Sequence, residues 1–158
     1  MIKPHEEKKF NKFISEAKDY LIIFPTNDID FHNGINIAKY FIMEKKNVTI
    51  FIRDIKRNSI VLTNDFKTIE YGIDDISKFG LPNKKLKAEL QKYDFDILID
   101  LEREENLFIN GIISLAKAKY KVGFKKSGTD KLHNFQIINS RLNSEISYRN
   151  LLNSLRMF

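Results

Sequence analysis

Four short stretches of this chain are almost uninterrupted apolar sequence: Tyr20–Phe24 (YLIIF), Val48–Ile52 (VTIFI), Phe95–Leu101 (FDILIDL) and Tyr120–Phe124 (YKVGF). A strand with one face in water alternates apolar and polar residues. A continuous apolar run belongs to a strand covered on both faces, as in parallel sheets flanked by helices. The segments between the runs carry the helical period. Ile35, Ile37, Ala38, Phe41, Ile42 and Met43 predict a helix over Asn33–Lys46, Leu86 and Leu90 anchor one over Asn83–Tyr93, and Leu107, Ile109, Ile112, Ile113 and Leu115 mark a well-buried one over Asn106–Ala118. Phe10, Phe13, Ile14 and Ala17 give Glu6–Lys18 an amphipathic face, and Ser144–Arg156 reads as a closing helix. Ser59–Leu62, Thr68–Tyr71 and Phe135–Ile138 read as further short strands. The expectation is a single Rossmann-like α/β domain with a doubly wound, mainly parallel sheet of five to seven strands. Residues 1–18 form its N-terminal helix, 19–143 its sheet and crossover helices, and 144–158 the closing helix.

A chain of 158 residues is long enough for one domain with a real core and short for two. With no cysteine, it has no disulfide, thiolate metal site or cysteine nucleophile. No apolar run approaches the ~20 residues that span a bilayer, and the charged start MIKPHEEKKFNKF lacks the apolar stretch of a signal peptide. A soluble, cytoplasmic protein is expected. Its charge of +6 is uneven: from Leu115 onward nine Lys and Arg face only Asp130 and Glu145, a net of +7, which leaves −1 for the rest. Such a field attracts phosphates, nucleic acid or an anionic membrane surface, although a solvated lysine-rich surface accounts for it more simply.

Ligands of open parallel sheets gather beyond the carboxyl ends of the strands. Three loops fall there: Thr26–Gly34 after the first run, Glu102–Asn106 after FDILIDL, and Lys125–Lys131 after YKVGF. Asn27, Asp28 and His32 in the first, with Lys125 and Lys126 in the third, are the candidates for binding an acceptor or an anion. Asp28, Asp30 and Asn33 also suit the cap and first turn of the helix that follows. No Walker A sequence or GxGxxG is present, so no nucleotide cofactor is expected. His5 and His133 have no carboxylate spacing that builds a metal site. The aromatic residues fall on apolar faces without interleaved Lys and Arg, which disfavours nucleic acid.

The order FDILIDL…NLFINGIISLAKAKYKVGF, together with strand one and its polar loop, resembles the N-terminal half-domain of the bacterial ADP-heptose:lipopolysaccharide heptosyltransferases, of GT-B fold. The resemblance covers residues 19 to 158. It implies a lipopolysaccharide-biosynthesis, glycosyltransferase-like acceptor half in which Asp30 takes the place of the proposed general base. It also implies a phosphorylated or lipid-linked glycan acceptor near Lys125 and Lys126, and a donor-binding half supplied by a partner chain. Ile29 stands where the family has glycine, and Glu102-Arg103 where it has Gln-Gly. An isolated half would transfer no sugar.

Two other readings stand beside this one. The chain could be an interaction module that kept the fold without the chemistry, or a binder of nucleic acid or an anionic surface, including peripheral membrane contact, through its basic C-terminal third. For the interaction module, Phe31, Phe124 and Leu132 are the expected apolar docking residues at the carboxyl edge, in a homo-oligomer or a hetero-complex.

Overall fold

The computed structural model describes residues 13–62, 65–138 and 143–158. Its strands are β1 (Asp19–Ile23), β2 (Asn47–Arg53), β3 (Lys67–Tyr71), β4 (Asp94–Asp100), β5 (Lys117–Phe124) and β6 (Phe135–Ile137). They form one sheet in the order β3-β2-β1-β4-β5-β6, and every neighbouring pair is parallel. The helices are α1 (Phe13–Glu16), α2 (Asp28–Met43), α3 (Lys84–Leu90), α4 (Leu107–Leu115) and α5 (Ser144–Arg156), with 3-10 turns at Asp54–Ser59 and Ile73–Asp75. This is a doubly wound Rossmann-like sheet.

Side-chain parity along each strand divides the core in two. Tyr20 and Ile22 of β1, Ile97 and Ile99 of β4 and Val122 of β5 meet Ile37, Ala38 and Phe41 of α2 and Leu151 and Leu155 of α5. Leu21 and Ile23 of β1 with Leu98 of β4 meet Leu86 and Leu90 of α3 and Ile109, Ile112 and Ile113 of α4. Both faces are therefore covered, and the central residues Leu21, Ile22, Ile97 and Leu98 have no exposure at all. That is the physical reason for the unbroken apolar runs.

Several boundaries differ from expectation, each for a local reason. The segment Thr26–His32 is not a polar loop: α2 starts at Asp28, five residues early, because the Asn27 side chain accepts from the N–H groups of Ile29 and Asp30. The polar residues there are its first turn, with Asp28 and Asp30 where the helix dipole favours acids. Ser59–Leu62 is not a strand, since the chain leaves β2 through a 3-10 turn. Helix α4 ends at Leu115, and Lys117, Lys119 and Lys121 alternate along β5 with period two. Of the expected helix Glu6–Lys18, residues 6–12 lie outside the described residues, and Phe13–Glu16 is helical.

Each of α2 to α5 begins after an asparagine whose side-chain oxygen accepts from a backbone N–H one turn on: Asn27, Asn83, Asn106 and Asn143. Asparagine is among the strongest N-caps because it supplies that acceptor without adding charge. Asn106→Ala is expected to lower unfolding stability by about 1 kcal/mol, with Asn106→Asp close to wild type, as read by chemical denaturation.

Candidate functional site

In this strand order the chain leaves β1 toward α2 on one face and β4 toward α4 on the other. The crevice where such folds hold ligands lies between those two exits. Glu102, only 1% exposed, occupies it. Its carboxylate accepts from the N–H and hydroxyl of Thr26 at 2.9 and 3.1 Å, closing the β1 exit against the β4 exit. Burial raises the Glu102 pKa above the ordinary glutamate value, and the Thr26 donors and the Lys126 charge only partly oppose this.

Beside it, Arg103 continues the parity of Ile97, Ile99 and Leu101 toward α2 and α5. Its guanidinium grips Asp30 with two hydrogen bonds, Nε to Oδ2 at 3.0 Å and Nη2 to Oδ1 at 2.8 Å, and its Nη1 reaches Ser147 at 3.2 Å. Ser144 donates a further bond of 2.6 Å to Asp30, and Asn33 donates to Ser144 at 2.7 Å. Burial works against the Arg103 charge, but the bonds and charge of Asp30 hold its pKa above the usual guanidinium value. Asp30 is 1% exposed because it lies on the inner stripe of α2 with Gly34, Ile37, Ala38 and Phe41. Its oxygens are committed to three donors from β4's exit and α5. This geometry makes it a clamp between elements, and an incoming hydroxyl has no open oxygen to approach.

A second buried cluster lies one strand over. Asp100, at the end of β4 with no exposure, accepts from Lys126 Nζ at 2.8 Å and meets His133 Nε2 at 3.1 Å. Its other oxygen accepts from the Glu102 N–H at 3.0 Å. The Gln136 amide nitrogen stands 3.3 Å from His133 Nδ1 and 3.1 Å from the Thr129 hydroxyl, which donates to the Lys126 carbonyl at 2.9 Å. With Gln136 donating to Nδ1, the imidazole proton sits on Nε2 and is shared with Asp100. Gly123 makes room for this: a Cβ there would lie 2.8 Å from His133 Cε1 and 2.9 Å from Asp100 Cβ.

The candidate residues named from sequence thus reach one edge but not one site. Asn27 caps α2. Asp28 is exposed and pairs with Lys56. His32 and Lys125 are exposed. The Lys126 side chain is 5% exposed in its pair with Asp100, and donates also to the Glu102 carbonyl at 2.6 Å. The start of α2 is a poor phosphate cradle, because Asn27 occupies its first N–H groups and Asp28 and Asp30 add negative charge. Arg103, Ser144, Ser147 and the Asp100–His133 contact were not expected. Only the helical spacing from Asp30 to Gly34, Ala38 and Phe41 pointed to a buried acid.

The expected docking residues need correction. Phe31 is 6% exposed and Phe124 not at all; both are core, and Leu132 is half-buried against the opposite core. Different side chains line the edge. Among the described residues, nine of the thirteen exposed large apolar side chains follow the strands' carboxyl ends: Ile29, Ile55, Ile73, Ile76, Phe79, Leu81, Leu107, Ile138 and Ile146. Met43, Tyr93 and Met157 lie at the opposite edge, and Val61 between β2 and β3. That opposite edge also holds a groove of about 520 Å³ with Lys46, Lys67, Lys92 and Tyr93 in its walls. Two of its cations are already engaged, Lys46 with the carbonyls of Ser15 and Ala17 and Lys92 with Glu89.

A family model matches residues 2–156 of the chain. The protein belongs to DUF6913, a family of unknown function. No curated protein matches the chain. The DUF6913 match takes in nearly the whole sequence, so the heptosyltransferase resemblance does not hold. The strand–helix–strand order behind it is a property of the shared kind of fold, which does not carry function. Among the described residues of this DUF6913 protein, no helix is long and apolar enough to cross a membrane.

Two substitutions separate the energetic roles at this edge. Asp30→Ala removes the carboxylate that takes two of Arg103's hydrogen bonds and one from Ser144, and should cost about 3 kcal/mol of stability, seen in urea denaturation. Glu102 behaves oppositely. Its folded pKa is raised, so as pH climbs past the ordinary value of about 4.3 the unfolded chain loses the proton first and stability falls. Glu102→Gln removes that fall while keeping an acceptor for Thr26. The variant's melting temperature should therefore gain on the wild type as pH rises above the ordinary glutamate value.

Proposed function

We propose that this protein is an interaction module, a Rossmann-like domain that docks a partner protein through the carboxyl edge of its sheet. The observation that carries this reading is the one-sided placement of exposed apolar side chains, nine of thirteen among the described residues at that edge. Scattered single exposed hydrophobics are ordinary on a protein surface, but a concentration on one side marks an interaction site. Two apolar groups lie there. One, Ile29 and Ile146, sits on the first turns of α2 and α5, and the other surrounds the segment between β3 and α3.

The polar groups at the same edge support the reading from the other direction. Asp30, Asp100, Glu102, Arg103, Lys126 and His133 are spent on each other and on backbone groups. They stiffen the edge and leave the exposed apolar residues on a fixed platform. A surface held rigid before binding loses less conformational entropy when a partner arrives. The alternative of an anionic ligand on the basic C-terminal third has weaker support. There Lys126 pairs with Asp100, Lys119 with Asp96 and Arg149 with Glu145, and Lys121 donates to the Ile113 carbonyl.

Site-specific photo-crosslinking in cells tests the reading. A photoreactive residue at Ile55 or Phe79 is expected to give a discrete protein adduct, and one at Met43 or Met157 none. An unmodified chain at every edge position, or equal labelling of both edges, would count decisively against it.

A further inference from the structure

We propose that the turn from Ile73 to Pro82, with the first turn of α4, forms a self-complementary surface for a second copy of this chain. This rests on the interaction-module reading and names its partner. The turn is tightly built. Ser77 N–H donates to the Leu81 carbonyl at 2.7 Å, and Gly80 N–H to the Ser77 carbonyl at 2.9 Å. The Ser77 hydroxyl oxygen accepts from Leu81 N–H at 3.2 Å. Ile76 and Pro82 form an antiparallel bridge, and Asn83 ties the base to the carbonyls of Asp75 and Asp74. Gly80 adopts φ 78°, the left-handed conformation that lets the chain reverse there.

This order holds apolar groups in water rather than hiding them. Phe79 at the tip is 71% exposed, Ile73 75% and Leu107 60%. Turn and helix are one surface, since a Cβ on Gly111 would lie 2.7 Å from Pro82 and one on Gly80 3.6 Å from Leu107. A mobile loop could fold its phenylalanine away; this one cannot without breaking its own hydrogen bonds. The Lys78 ammonium lies 5.1 Å from the Phe79 ring and so stays beside the tip.

Charge selects the occupant. Exposed Lys78 lies on the turn and exposed Lys84 and Lys85 at the start of α3, whereas exposed Asp74 lies at the base of the turn and exposed Glu104 and Glu105 just ahead of α4. The surface is thus apolar in its middle and carries charges of both signs around it, although the chain as a whole carries +6. A polyanion or an anionic membrane would meet Glu104 and Glu105. In a two-fold pair the same patch meets itself, so one copy's lysines can face the other's glutamates around a Phe79–Leu107 centre. The long-range repulsion of two positive chains is largely screened beyond about 8 Å at physiological salt.

Sedimentation velocity of the purified full chain across a micromolar concentration series tests this. The wild type is expected to pass from monomer to dimer, and Phe79→Asp to weaken association by about 30-fold, as at a central hot spot. At concentrations low enough to keep both chains monomeric, its melting temperature should match the wild type, because Phe79 is exposed. Lys78→Glu/Lys84→Glu and Glu104→Lys/Glu105→Lys should each self-associate poorly alone, and associate when mixed. A wild type that stays monomeric, a Phe79→Asp chain that pairs like wild type, or reversed variants that fail to pair on mixing would each overturn the second-copy proposal. If the purified chain is monomeric while crosslinking at Phe79 captures a different protein, this proposal falls and the interaction-module reading survives. A monomer with no adduct at the edge removes both.

Discussion

The carboxylate of Asp100 ends the central strand β4 inside the protein, and most of the carboxyl edge is organised around it. Taking a carboxylate out of water costs several kcal/mol even after relaxation. The chain offsets this by bringing Lys126 from the loop after β5, His133 from the approach to β6 and the Glu102 N–H to its two oxygens. Lys126 then bonds the Glu102 carbonyl, Glu102 receives Thr26 from β1, and Arg103 holds Asp30 of α2, which receives Ser144 of α5. Elements that are distant in sequence meet because each charge needs the next one. A network of this kind leaves few polar groups idle, and its cost is bearable only when nearly all members are satisfied.

That closure bears directly on function. In this fold the exits of β1 and β4 form the crevice for a ligand, and here Glu102 and Thr26 occupy it. Asp30 took the place of a base only through the heptosyltransferase resemblance. Once Asn27 starts the helix early, the same acid faces inward and needs a cation. The apolar docking residues changed for the same reason. Phe31 turns inward with the helix, and Phe124 belongs to the buried end of β5. The exposed apolar groups lie instead on connections whose own hydrogen bonds keep them outside. Phe79 is the clearest case, held on a turn fixed by Ser77, Gly80 and Asn83.

The sheet was legible because burial on both faces leaves a direct trace in composition. YLIIF, VTIFI and FDILIDL cannot alternate if helices cover both sides. The crossover helices were legible through Leu86 and Leu90, or Ile109 and Ile112, at helical spacing. The ends were less so: a lone asparagine decides where α2 begins, and its cap bond is visible only once the backbone has turned. The candidate site was legible in part. Its residue types were on the expected loops, but partner choice was hidden, since Asp30 and Arg103 are 73 positions apart and Asp30 and Ser144 are 114 apart.

The sequence by itself determined a doubly wound α/β fold, because hydrophobic period is a local property that survives without knowledge of neighbours. It also determined an uneven charge and placed polar loops beyond the strand ends. Only the tertiary structure decided which charges are free. Lys126 and Lys125 are adjacent and identical in chemistry, yet one is buried against Asp100 and the other lies in water. That difference comes from the bend of one loop over the end of β4. The free energy of a charge depends on the dielectric and partners around it, which are set by chain segments far away in sequence.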